Sequence, residues 1–263
     1  MRRRAAVAAL AAAVLLTGCA TRPATRPQAG FAGPLPTAVQ LVAAVDARRA
    51  QVRALRAWAR LRYTAPEESQ SAKQLLVAER PDRLRLELFS PFGAVFVLTA
   101  ADGALSAWDR GEKVVYRGAA SAANLRRYTQ MDLAVPTAVD LLLGTPPLPA
   151  GDGQVSADGA AIRLWQDDDA GVTATWFNAA FEPLRYERHA RDGRVLLRVT
   201  FDGWAPAGGA RLPMQLGIEL PPTQRRIEIA LTEPEVNPPL AAAAFALATP
   251  DGSREIGLDG ATP

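Results

Sequence analysis

The period of the hydrophobic positions changes along the chain near residue 58. Over residues 37–58, Val39, Val42, Val45, Val52, Leu55 and Trp58 recur at helical spacing, with Asp46, Arg48, Arg49, Arg53 and Arg56 between them. Apolar residues three and four apart share one face of a helix, so the spacing predicts an amphipathic helix capped by Thr37. Beyond it the period falls to two. The segment "RLRLEL" at 83–88 sets Leu84, Leu86 and Leu88 on one face and the charges on the other. Similar segments are expected at 57–64, 71–80, 92–100, 113–117, 161–166, 172–177, 184–189, 195–201, 212–219 and 225–232. Asp-Gly pairs beginning at Asp102, Asp158, Asp192, Asp202 and Asp251 supply tight hairpin turns.

Two stretches interrupt the alternation. "SAANLRRYTQM" at 121–131 and "PTAVDLLLG" at 136–144 read as short helices, the second with Pro136 in its first turn and Gly144 beyond its last. The whole is mainly β with an α lid: a large antiparallel sheet that curls to hide its apolar face, with helices over its concave side.

The start of the chain has a different character. Three arginines, Arg2 to Arg4, precede the apolar run "AAVAALAAAVLL" at 5–16, which leads into Leu16-Thr17-Gly18-Cys19. A basic start, a short apolar core and small residues before a cut describe a secretory signal at 1–18. The run is too short for a permanent span, which needs roughly 20 residues. Cys19 is the only cysteine. The proline- and alanine-rich stretch that follows predicts an extended tether over 19–36, and the remaining residues, 37–263, suit one domain.

Charge excludes one class of partner. The chain carries 30 basic and 27 acidic residues, and without residues 1–18 the two balance. No basic surplus remains to attract nucleic acid.

Catalytic patterns are missing. His189 is the only histidine and is expected on a solvent-facing strand position. With one histidine and one cysteine, a transition-metal centre is not expected. No Gly-x-Ser-x-Gly elbow or phosphate-cradling Gly-Lys-Thr occurs. Asp167–Asp169 reads as a solvated hairpin tip rather than a calcium loop, and Glu67-Glu68 as a polar loop rather than a catalytic pair. The expectation is a protein that is not an enzyme and uses no cofactor or metal. Trp58, Leu84, Leu86, Leu88, Phe96, Leu98 and Leu141 are the candidate lining of an apolar cavity, although such residues also fill ordinary cores.

Leu-Thr-Gly-Cys after the apolar core resembles the bacterial lipobox. The lipobox, the helix, the arginine-studded meander, "SPFG" at 90–93 and "PTAVDLLLG-TPPLP" from Pro136 together resemble the LolB/LolA family over residues 41–232. That resemblance implies a half-open antiparallel β-barrel plugged by helices, with a cavity for the acyl chains of other lipoproteins. It implies a lipidated Cys19, and a membrane-touching loop at Pro91, Phe92 and Gly93. Phe92 either projects there or folds back on the core rim. The implied partners are lipoprotein acyl chains, a periplasmic LolA-like carrier and the membrane; a monomer is expected. Ala20, in place of an aspartate, points to the periplasmic face of the outer membrane. Two departures are visible. Leu141–Leu143 stand where LolB has a tryptophan, and the segment from Phe245 extends beyond the LolB pattern. A different class stays open: an anchored accessory lipoprotein that uses the same fold to engage an envelope protein.

Overall fold

A computed structural model describes residues 31–149, 152–168 and 171–259. Cys19 and the expected signal lie outside them. Phe31, within the expected tether, donates its backbone N–H to Gly159 O at 2.8 Å and packs against a cluster containing Leu41, Ile162 and Phe177.

The first helix, α1 (Ala38–Gln51), starts with a reciprocal cap: Thr37 Oγ1 accepts from the Gln40 N–H, and Gln40 Oε1 accepts from the Thr37 N–H. It ends seven residues before the sequence pattern does. At Val52 the backbone turns extended. The Asn237 side chain secures that turn by accepting from the N–H groups of Arg53 and Ala54 and donating to Gln51 O. Leu55 and Trp58 therefore belong to the following strand. The buried stripe also differs from the expected one. It runs through Ala38, Leu41 and Val45, while Val39 is 66% exposed.

Six strands then meander: β1 (Ala54–Ala65), β2 (Glu68–Glu79), β3 (Arg83–Ser90), β4 (Gly93–Ala101), β5 (Ala104–Asp109) and β6 (Val114–Ala119). Helices α2 (Ala122–Thr129) and α3 (Val135–Leu142) follow. The chain resumes with β7 (Gln154–Asp158), β8 (Ala161–Asp168), β9 (Gly171–Phe177), β10 (Pro183–His189), β11 (Val195–Ala207), β12 (Ala210–Leu220) and β13 (Arg225–Val236), then a short strand β14 (Arg254–Gly257). Among the described residues they form one 14-stranded sheet in the order β14-β6-β5-β4-β3-β2-β1-β13-β12-β11-β10-β9-β8-β7. Its pairs are antiparallel except β14 with β6.

The chain must pass from β6 near one edge of this sheet to β7 at the other. The crossing carries α2 and α3, which pack on the concave face with Leu125, Ala138, Val139 and Leu141 buried against leucines of the sheet. Gly144 ends α3 at φ +75°, and a Cβ there would approach Pro213 Cδ to 2.7 Å, so only glycine fits.

The structure corrects several sequence expectations. Asp202-Gly203 is no turn but lies inside β11; the β11–β12 turn uses Gly208-Gly209. The short strands β5, β7 and β14 were not expected. His189 is buried on the outer face of β10, with Nε2 3.0 Å from Glu187 Oε2 and its ring 5.3 Å from that of Trp165. Glu187, itself buried, also accepts from Arg198 Nε at 2.7 Å, so this charged face closes over itself by pairing.

One end of the sheet is closed by charge. Arg80 pairs with Asp140 of α3, donates from Nη2 to Thr145 Oγ1 at 2.6 Å and from Nε to Val52 O at 3.0 Å. Arg49 of α1 reaches the same carboxylate at 3.3 Å. Removing one member of such a half-buried group strands the others. We expect Asp140→Ala to lower the unfolding free energy by about 3 kcal/mol, measured from urea midpoints. Asp46→Ala, which breaks only the surface contact to Arg49, should change it by less than about 0.5 kcal/mol.

Candidate functional site

Strand parity decides which residues face inward. On β3 and β4 the inner positions are Leu84, Leu86, Leu88 and Phe96, Leu98, Ala100, paired across the ladder as Leu84 with Ala100, Leu86 with Leu98 and Leu88 with Phe96. On β2 they are Gln70, Ala72, Gln74, Leu76 and Ala78, since Leu76 pairs with Leu86. On β1 they are Leu55, Ala57, Ala59, Leu61 and Tyr63, and on β13 Ile227, Ile229 and Leu231.

These faces and the two lid helices enclose a cavity of about 500 Å³. That lies within the range of roughly 300–1,000 Å³ typical of small-molecule sites. Its floor is apolar: Leu84, Leu86, Leu88, Phe96 and Leu98 from the sheet, Leu125 from α2, Leu141 and Leu142 from α3, and Ile218, Ile227 and Ile229 from β12 and β13. Six of the seven residues expected to line a cavity therefore meet in one.

Trp58 does not join them. It shares the outer face of β1 with Arg60 and Arg62, where Lys73 Nζ sits 3.9 Å from its ring centroid and the Phe89 ring stands edge-on at 5.3 Å. The cause is parity: the inner positions of β1 around it are Ala57 and Ala59.

The lining changes character along its length. Leu84 and Leu98 are buried, whereas Glu68 and Gln70, towards the β1–β2 turn, are exposed. The mouth therefore faces the end that bears the β1–β2, β3–β4 and β5–β6 turns and Arg225 at the start of β13. Tyr128 of α2 closes one side, its ring 5.7 Å from Phe96 and 6.1 Å from Tyr116. Burial, with the neighbouring Tyr116 adding to it, pushes the Tyr128 phenol up to about 12, so it stays neutral at physiological pH.

At this same end Pro91, Phe92 and Gly93 form the β3–β4 turn. Phe92 projects and is 86% exposed. Ser90 Oγ accepts from the Phe92 N–H at 3.2 Å, Arg110 Nη1 donates to Phe92 O at 2.9 Å, and Gly93 takes φ +106°. The backbone is held while the ring is left in solvent. Fully burying such a ring is worth about 1.5–3 kcal/mol.

Gln74, Tyr128 and Arg225 line the cavity and were not singled out in the sequence. Counting back from Leu76 in steps of two along β2 reaches Gln74 and would have placed it inward. Among the described residues, no group of three His, Cys, Asp or Glu side chains is placed to hold a metal ion. No described helix is long and apolar enough to cross a membrane.

No family profile matches the sequence, and no curated protein matches it. Solved structures do match its shape. A DUF1329 family protein from Desulfovibrio piger superposes with a TM-score of 0.59 at 13% identity, covering 81% of this chain and 98% of that one. A LolA superfamily protein from Nitrosomonas europaea gives 0.54 at 14%, covering 81% and 98%. A Vibrio parahaemolyticus domain described as an outer membrane lipoprotein-sorting protein gives 0.57 at 15%, covering 79% and 95%. The chain has the LolA-type fold: a large, open, curled antiparallel sheet with few helices.

The two faces of the sheet make separable predictions. Leu86→Trp should fill the hollow and reduce binding of the apolar dye 1-anilinonaphthalene-8-sulfonate several-fold. Trp58→Ala, on the other face, should leave dye binding unchanged, both read by fluorescence titration.

Proposed function

We propose that this protein is a lipid-anchored LolB-like lipoprotein of the outer membrane, which takes acyl chains of other lipoproteins into its cavity and assists their insertion. The observation that carries this reading is an open apolar cavity of about 500 Å³ whose mouth lies at the same end of the sheet as an exposed phenylalanine. The mechanism is partitioning. Each methylene moved from water into an apolar site gains roughly 0.8 kcal/mol, so a dry leucine-lined hollow holds a chain without covalent chemistry. A bilayer offers that chain the same environment, and a chain at the mouth can pass from one to the other with little change in hydration.

The anchor and the loop divide the work. Acyl chains on Cys19 would supply attachment, because one chain holds marginally and two or three hold stably. Phe92 adds too little to recruit the protein by itself, and its role is to orient the mouth towards the membrane. A periplasmic LolA-like carrier is the proposed donor of cargo. No nucleotide, cofactor or catalytic residue enters the scheme, and the protein acts as a monomer.

Metabolic labelling with palmitate should mark the wild type, and Cys19→Ser should lose both the label and membrane attachment. Depletion should leave other lipoproteins outside the outer membrane on fractionation; normal delivery would exclude an essential acceptor role. Photo-crosslinkers at Leu86 and Phe96 should capture lipoproteins. Adducts confined to surface positions would instead favour an accessory lipoprotein that grips an envelope protein. With the anchor intact, Phe92→Glu should slow delivery several-fold at unchanged stability, and an unchanged rate would remove the loop from the scheme.

A further inference from the structure

The chemistry of Gln74, in the middle of the cavity wall, is not used by a site for hydrocarbon alone. The residue is 3% exposed, it lines the cavity, and its buried Oε1 accepts no hydrogen bond from the described residues. Its cross-strand neighbours, Ala59 on β1 and Leu88 on β3, carry no donor in their side chains. A buried amide oxygen without a partner carries the desolvation cost of that group, equivalent to roughly a ten- to hundred-fold shift in an equilibrium.

Its position is informative. Read from the mouth, the inner residues of β2 run Glu68, Gln70, Ala72, Gln74, Leu76. Gln74 is thus the last polar position before the leucine floor. Beyond its level, marked by Leu88, the inner wall of β3 continues through Leu86 to Leu84, about 13 Å along the strand. Towards the mouth the lining gains Gln70 and Arg225, whose Nε is likewise buried and without a hydrogen-bond partner among the described residues. One wall therefore passes from apolar to polar along the axis on which a chain would lie.

We propose that Gln74 accepts a hydrogen bond from the head of the bound amphiphile, so that the site selects acyl chains whose linkage carries a donor, an amide N–H or a hydroxyl. The tail lies among Leu84, Leu86, Leu98 and Leu141, and the linkage stops at Gln74. This assignment rests on the acyl-chain reading of the cavity and adds a selectivity to it. A ligand with a donor satisfies the stranded oxygen. A ligand of equal length without one buries it unpaired, which is how a site built to bond an N–H or O–H rejects an analogue lacking it.

The test uses two compounds that differ at one atom, N-methyldodecanamide and methyl dodecanoate, each displacing 1-anilinonaphthalene-8-sulfonate from the purified protein. The amide should bind about ten-fold more tightly than the ester. In Gln74→Leu, a substitution of similar volume that also removes the unpaired group, the preference should fall close to unity while the ester binds as well as before or better. Equal affinities in the wild type, or a preference that survives Gln74→Leu, would overturn the proposal and leave the cavity reading standing. Failure of both compounds to bind the wild type would overturn the cavity reading, and this proposal with it.

Discussion

A mismatch of lengths governs this molecule. One sheet presents an apolar inner face along strands such as β1, whose 12 residues span about 40 Å. The lid helices α2 and α3 have eight residues each, and each covers about 12 Å. Their burial against the sheet stabilises both, yet together they cannot cover a surface of that length. The closed end takes α3 and the cluster of Arg80, Asp140 and Arg49. What remains towards the other end is hollow. The cavity follows from geometry that the connection between the two sheet edges imposes, not from a void left by poor packing.

Much of this fold was legible in the sequence because the alternation on β3 is clean. Leu84, Leu86 and Leu88 alternate with Arg83, Arg85 and Glu87, so their shared face could be read without coordinates. Trp58 shows where such reading fails. The sequence around it, "AWARLRY", puts its largest apolar side chain at the same parity as Arg60 and Arg62, and the alanines on the inner side give a weak signal. The arginines carried the right answer, that the tryptophan faces out. The end of α1 was obscured by coincidence: Val52, Leu55 and Trp58 extend the three-residue spacing into a strand. The turn at Val52 is secured by Asn237, a residue 184 positions from Arg53, and no local pattern reports that.

Electrostatics on the convex face explains a different failure. A lone histidine among Glu187, Arg185 and Arg188 reads as solvent-exposed. In the structure Glu187 pairs with Arg185, Arg198 and the histidine itself, Arg198 also reaches Glu219, and the histidine is buried among them, while Arg188 takes the opposite parity and donates to Asp132 O. Alternation tells which face a residue takes. Whether that face is wet depends on what lies across it, and here the arginines stretch along the strands and shield their neighbours.

The segment after β13 does the same on a larger scale. It crosses the convex face of the first strands, where Arg85 Nη1 donates to Ala246 O at 2.7 Å and Arg117 Nη2 to Leu247 O at 3.1 Å. It then adds β14 beside β6, and its Asp259 accepts from Ala119 N at 2.7 Å and from Asn124 Nδ2 at 2.9 Å. Asn124 belongs to α2. The helix beside the mouth is thus latched by a carboxylate arriving from behind the wall, on a segment that does not line the hollow. Any swing of α2 that widened the opening would have to strain that latch, so the position of the helix at the front is tied to a segment at the back.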